Sequence, residues 1–274
     1  LGWTLPPLIL VMIIFVWGFR GFLDMNQQPN GATQNQVLVA ASKWNWAFTY
    51  PQGVEDTVLH VPVNTPISLV MTSSDVIHSF YVPDFRVKQD VVPGRYNKLW
   101  FEATEVGTYN IFCTEYCGEQ HSAMITTLVV HTQEDYDAYI KDLIVKIDNM
   151  PPVELGQYIY KIKGCKQCHS LDGAPGTGPT WKDVFGAERK FSNASPRVAD
   201  ENYIRESILN PGKELVEGYG NNMSTFQGNI TDKQITGVIE FLKSISDNYD
   251  GPILEKAPGT DAEQEATDET TANE

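Results

Sequence analysis

The stretch TYNIFCTEYCGEQHSAMITTLVVH, residues 108–131, holds two short β-type runs, 108–113 and 125–131, joined by a loop rich in soft donors. Twelve residues of that loop present two thiols, an imidazole and a thioether: Cys113, Cys117, His121 and Met124. This donor set suits copper. A structural zinc site wants four Cys or His ligands, and methionine serves zinc poorly. A Cys113–Cys117 disulfide is the plainer reading, but it leaves the spacing of His121 and Met124 unexplained. Two thiolates are one more than a mononuclear blue-copper site uses. They can bridge two coppers, with one imidazole capping each metal. The second imidazole then comes from His60, His78 or His131. His60 and His131 sit in strand-like runs, as ordinary half-buried residues do, whereas His78 lies in a turn-like stretch, 73–80, able to reach another loop.

The same β texture reaches outward from that loop. Runs at 36–41, 57–61, 67–72 and 97–103 are separated by turn residues such as Pro51-Gln52-Gly53 and Pro93-Gly94. Several short strands at this spacing predict an antiparallel sandwich or barrel over residues 37–132. The alternating aromatics Trp44, Trp46, Phe48 and Tyr50 fit a core strand. Upstream, residues 1–19 carry no charge, and positions 3–22 are mostly apolar. A helix of that length spans about 30 Å, one hydrocarbon core, so residues 1–23 are expected to cross a membrane. A secretory signal is the competing reading, but its apolar core is shorter and no small-residue cleavage site follows Arg20. The chain opens on Leu1 rather than Met, which reads as a start inside a longer precursor. Residues 24–36 are a polar linker.

Downstream, residues 133–151 form a connector helix with Tyr136, Tyr139, Ile140, Leu143 and Ile147 at helical spacing, ended by Pro151-Pro152. Residues 152–248 form a small, mainly α domain with helices at 154–163, 201–209 and 231–246. Residues 249–274 are an acidic tail. From 251 to 274 there are seven acidic residues and one lysine, too polar to fold alone. The formal charge of −15 over 274 residues excludes nucleic acid as a partner, because phosphate binding needs a basic surface.

A second chemical site lies in the α domain. Cys165-Lys166-Gln167-Cys168-His169 is the c-type haem attachment motif: two thiols join the haem vinyl groups and the histidine sits under the iron. No histidine follows His169, and Met223 is the only later methionine, so Met223 is the candidate for the other axial position. Methionine opposite histidine raises the haem potential.

Residues 1–130 resemble cytochrome c oxidase subunit II, on the C-x-E-x-C-x-x-x-H-x-x-M loop, the Ser73–Phe80 stretch and Val91-Val92-Pro93-Gly94-Arg95. Residues 152–246 are similar to class I cytochrome c, with Gly178-Pro179 placed where that family orients the proximal histidine; the proline common after the axial methionine is here Ser224. The resemblance implies three parts: a transmembrane helix, an all-β cupredoxin-like sandwich and a small all-α cytochrome c domain. It implies a dinuclear CuA centre with His78 and His121 as terminal ligands, Cys113 and Cys117 as bridges and Met124 as weak axial ligand. Glu115 gives its backbone carbonyl, and its carboxylate points toward a magnesium site shared with the catalytic subunit. Trp44 is implied to pass electrons to CuA.

Only the second of the family's two membrane helices has a counterpart. The implied role is the subunit where electrons enter a haem–copper terminal oxidase, an oxidoreductase of the bacterial inner membrane with both soluble domains on the outer face. Electrons would run from a cytochrome c or a quinol-oxidising complex, in a supercomplex or not, through haem c and CuA to catalytic subunit I, beside subunit III, where oxygen is reduced and protons are pumped. Two alternatives stay open: the corresponding subunit of a nitric oxide reductase, and a membrane-tethered copper-delivery protein.

Overall fold

The computed structural model describes residues 1–29 and 31–254. Helix α1, Leu5–Asn26, begins with prolines in its first turn, where the missing N–H costs nothing. Its apolar window has mean hydropathy 2.0 and is wholly exposed, as suits a helix whose solvent is lipid. The helix runs three residues past the predicted end, and a 3-10 turn, Ala32–Asn35, completes the linker.

Ten strands follow: β1 Gln36–Ser42, β2 Asn45–Thr49, β3 Glu55–Asp56, β4 Leu59–Pro62, β5 Pro66–Ser73, β6 His78–Val82, β7 Val87–Val91, β8 Asn97–Glu102, β9 Gly107–Cys113 and β10 Ile125–His131. They form two five-stranded sheets, ordered β3-β2-β1-β5-β8 and β4-β10-β9-β6-β7. Val37, Val39 and Ala41 on β1 alternate inward, the period-2 signature of a half-buried strand. Between the sheets lie Trp46, Phe48, Leu59, Leu69, Met71, Phe80, Ile111 and Leu128, all fully buried. Burial of each such side chain is worth about 1.5–3 kcal/mol relative to exposure.

The sandwich is mixed rather than antiparallel throughout. β1 runs parallel to β5, and β10 parallel to β4, because the chain changes sheets between those partners. Strands β6 and β7 fall between predicted runs, where the alternation is broken by Asp, Lys and Gln.

Helix α2, Gln133–Asp148, is capped by Thr132, whose hydroxyl accepts from the Asp135 N–H. Ile140 and Leu143 enter the sandwich core, so the predicted connector is part of the β domain's packing.

The α domain has helices α3 Pro152–Ile162, α4 Glu201–Leu209 and α5 Asp232–Ser244. It also has a two-stranded ribbon, β11 Glu188–Arg189 with β12 Arg197–Val198, which the all-α expectation lacked. Helices α3 and α5 cross at glycines: a Cβ on Gly156 would stand 2.0 Å from the Gly237 carbonyl oxygen. A capping box, Thr231 with Gln234, starts α5. Near its end Lys243, 7% exposed, pairs with Glu240 at 2.8 Å and Glu201 at 2.6 Å.

The predicted tail boundary at 249 is too early. Tyr249 stacks edge-on against Phe185, and the Leu254 N–H donates to Glu240. Residues 255–274, and the expectation that they are disordered, lie outside the described residues.

The two domains meet along one side. The Asn45 amide donates to the Ile162 carbonyl at 2.9 Å, and Lys163 pairs with Glu55 at 2.7 Å. Gly164 has φ +73, and a Cβ there would lie 2.7 Å from the Asn45 Cβ, so both backbone conformation and close approach require glycine.

Candidate copper and haem sites

The register of β6 against β9 pairs Phe80 with Cys113 and thereby brings His78, the first residue of β6, beside the Cys113 thiol. His78 is fully buried, and its Nδ1 lies 3.9 Å from the Cys113 Sγ. The loop from Cys113 folds back so that the two sulfurs stand 3.8 Å apart. A disulfide needs about 2.05 Å, and both cysteines are free. Cys117 Sγ is 3.4 Å from His121 Nδ1 and 3.9 Å from Met124 Sδ. The Glu115 carbonyl oxygen lies 3.3 Å from Cys113 Sγ, while the Glu115 side chain is exposed. All six residues expected at the copper site converge, with His78, Cys113 and Cys117 placing donor atoms within 4.8 Å of one another.

Of the three candidate histidines, His60 and His131 go elsewhere. His60 Nδ1 and His131 Nε2 are 2.7 Å apart, sharing one hydrogen, and both rings stack with Tyr139. In the β4–β10 pairing His60 stands opposite Val129 and His131 opposite Pro62, so the two histidines meet diagonally and form a separate polar cluster.

The electrostatics of the thiols fit a cation. Burial opposes ionisation of Cys113, yet hydrogen bonds with His78, Ser79, Glu115 and Cys117 bring its pKa down to about 6. Burial and then the Cys113 charge push Cys117 up. Two thiolates this close therefore call for positive charge between them, and metal binding would release the second proton. Asp75 supplies an orienting contact: its carboxylate accepts from His78 Nε2 at 2.9 Å and from the Lys43 N–H at 2.7 Å. That leaves His78 Nδ1 for a metal, the usual way a carboxylate fixes a ligand's tautomer.

Next to the copper loop lies a cavity of about 550 Å³. Its lining includes Cys165, Cys168, His169, Met223 and, from the β domain, Trp44. Roughly 300–1,000 Å³ is usual for a ligand site. His169 Nδ1 donates to the Pro179 carbonyl at 2.7 Å, leaving Nε2 for iron. Burial, opposed by the Pro179 hydrogen bond and assisted by Arg189, keeps His169 below its ordinary pKa, which favours the neutral ring a ligand must have. A Cβ on Gly178 would sit 2.7 Å from the His169 ring, so glycine is needed for that approach. Tyr160 donates to the His169 carbonyl at 2.6 Å, and Trp181 stacks on the ring.

Three buried polar atoms on the cavity wall, Trp44 Nε1, Arg189 Nε and Glu214 Oε2, have no partner among the described residues. A group carrying its own polar edge would meet them. Apolar walls, two thiols and a neutral histidine fit a covalent haem. Trp44 is 5% exposed rather than an open docking residue: its ring packs on Gly118 of the copper loop, and its carbonyl accepts from the Gln167 amide at 3.2 Å.

Fold and sites together define a β-sandwich with a soft-donor metal cluster, fused to a helical domain built around a haem-attachment motif. Residues 48–132 match the family model of the cytochrome c oxidase subunit II periplasmic domain, and residues 153–246 match that of cytochrome c. The β domain is thus similar to the subunit II periplasmic domain and the α domain to cytochrome c. A cytochrome c oxidase subunit 2 of Alkalihalophilus pseudofirmus is 27% identical over 254 residues, covering 89% of this chain and 72% of the relative. One of Thermostichus vulcanus is 47% identical over 104 residues, covering 38% of this chain and 32% of the relative. One of Synechocystis is 38% identical over 119 residues, covering 43% and 36%. The matches to these last two therefore span about a third of each relative's length. The crystal structure of the periplasmic domain of subunit II of cytochrome oxidase from Bradyrhizobium japonicum has TM-score 0.41 and 28% identity, covering 44% of this chain and 99% of that chain.

Sequence reasoning missed Asp75, Tyr160, Gln167 and Arg189. An acid three residues before His78 was a usable signal, since a turn brings positions i and i+3 together. Nothing local marked the others.

Proposed function

We propose that this chain is the subunit of a haem–copper terminal oxidase through which electrons enter, anchored by α1 in the bacterial inner membrane with both soluble domains outside. The observation that carries the reading is that the copper-type donor cluster and the haem-type cavity share one wall, Trp44 packed on Gly118. When bound, a copper pair and a haem supply one-electron redox chemistry. In this reading Cys113, Cys117, His78 and His121 would hold the copper pair, assisted by Met124 and the Glu115 carbonyl. Cys165 and Cys168 would attach the haem, and His169 and Met223 would hold its iron. Asp75 and the Pro179 carbonyl hold the two histidine tautomers, so donor positions change little between oxidation states. Tethering the donor domain raises its effective concentration at the acceptor.

The electron donor, a cytochrome c or a quinol-oxidising complex, would reduce the α domain. Catalytic subunit I, with subunit III beside it, would take electrons from the copper site, reduce oxygen and pump protons. The exposed Glu115 carboxylate would be offered to a magnesium ion shared with that subunit. The test is metal content with optical and EPR spectra of the full chain in detergent. Two coppers per covalent haem with a delocalised mixed-valence signal is the expected result. One copper or none beside an intact haem would overturn the copper reading.

A further inference from the structure

Asp75 and Ser224 meet across the domain boundary. Asp75 stands between β5 and β6 with its side chain 10% exposed, and its Oδ1 accepts from His78 Nε2 at 2.9 Å. Its Oδ2 accepts from the Lys43 N–H at 2.7 Å and from the Ser224 hydroxyl at 3.3 Å. Ser224 directly follows Met223. A hydrogen-bonded and covalent chain therefore runs His78, Asp75, Ser224, Met223, from a candidate copper ligand to a candidate iron ligand. A proline at 224 would have no hydroxyl to offer. Elsewhere the copper loop and haem motif touch through Gln167, whose carbonyl accepts from the Gln120 amide at 2.9 Å. That contact fixes the haem-attachment side; the Met223 loop is tied to its own domain, where the Phe226 N–H and the Thr225 hydroxyl donate to the Ile208 and Leu209 carbonyls, and it meets the copper domain through Ser224.

We propose that the Asp75–Ser224 hydrogen bond is a latch that seats the Met223 loop on the copper domain and positions the two redox centres against each other. It rests on the ligand assignments above. The Met223 loop, residues 220–228, carries two glycines, Gly220 and Gly228, and has no helix or strand of its own, and such segments open at low cost. The Asp75 carboxylate is fixed in place by further bonds, accepting from the Val76 N–H at 2.7 Å and from the Ser73 hydroxyl at 3.3 Å. The latch makes and breaks no covalent bond, and the hydroxyl proton stays on Ser224.

The test compares the full-length, copper- and haem-loaded chain with Ser224→Ala and Ser224→Thr. Backbone hydrogen exchange at 222–225 should quicken about fivefold in the alanine variant, the loss of one hydrogen bond at tenfold per 1.4 kcal/mol. Haem-to-copper electron equilibration after photoreduction should slow several-fold, and threonine should restore both. The methionine–iron absorption band and the copper EPR signal should not move, which separates positioning from loss of a ligand. Wild-type exchange and rate in Ser224→Ala, or failure of threonine to restore them, would overturn the latch. Fewer than two coppers per haem would overturn the copper reading instead, and the exchange comparison, which needs no copper, would still decide the latch.

Discussion

The two candidate sites are built on opposite plans. At the copper site the donors hang from the ends of β6, β9 and β10, and five contacts of 3.3–3.9 Å link them. Sheet register does the positioning, and the core beneath is complete. In the haem domain the ligands stand on loops around a cavity of about 550 Å³, and only His169 is held by a specific bond of its own ring. One site is organised by its scaffold. The other domain is organised around what fills its centre.

The largest expected effect separates these plans. Replacing Cys165 and Cys168 by Ser in the full chain should abolish covalent haem and remove hydrogen-exchange protection from α3, α4 and α5. The sandwich should keep its protection and its copper signal. Loss of protection in both domains together would break the comparison and show one cooperative unit.

A smaller effect tests the close contact between α3 and α5. Gly156→Ala would put a Cβ 2.0 Å from the Gly237 carbonyl oxygen, against backbone that cannot rotate away. Overpacking of this kind costs about 1–3 kcal/mol, read as a drop in the denaturant midpoint of the haem domain alone. An unchanged midpoint would show that α3 and α5 slide freely.

The smallest effect concerns the sandwich far from either cofactor. Burial, opposed by Asp56 and assisted by His131, lowers His60 to about 4 from its ordinary 6.5. The unfolded chain then binds the proton more readily between those values, so stability should fall as pH drops from about 6.5 to about 4. His60→Phe keeps a ring against Tyr139 without the titration, and its urea midpoint should depend less on pH in that window. Equal slopes would show that His60 is neutral for stability. The haem domain's midpoint should not follow this titration.

Much of both sites was legible because the chemistry is local. Cys113, Cys117, His121 and Met124 occupy one loop, and Cys165 to His169 one turn, so spacing alone narrowed the chemistry. Amphipathic periodicity placed α2, α3, α4 and α5 within a few residues of their observed ends, since one-sided burial leaves a trace at every turn. β6 was harder to see. His78 reads as a turn residue, yet it opens a strand, because its extended conformation is imposed by pairing with β7 and β9 rather than by its neighbours in sequence.

What the sequence by itself determined is therefore the inventory: an apolar span, a β domain, a helical domain, and the two donor sets. What only the tertiary structure decided is their juxtaposition. Which of three histidines meets Cys113 depended on strand register, and the parallel pairs of the sandwich depended on where the chain changes sheets. The burial of Trp44 between Gly118 and the haem cavity, and the reach of Ser224 to Asp75, arise between residues about 75 and 149 positions apart. Contacts at such separations are fixed by the packing of whole sheets and helices, and leave no periodic or local mark in the chain that makes them.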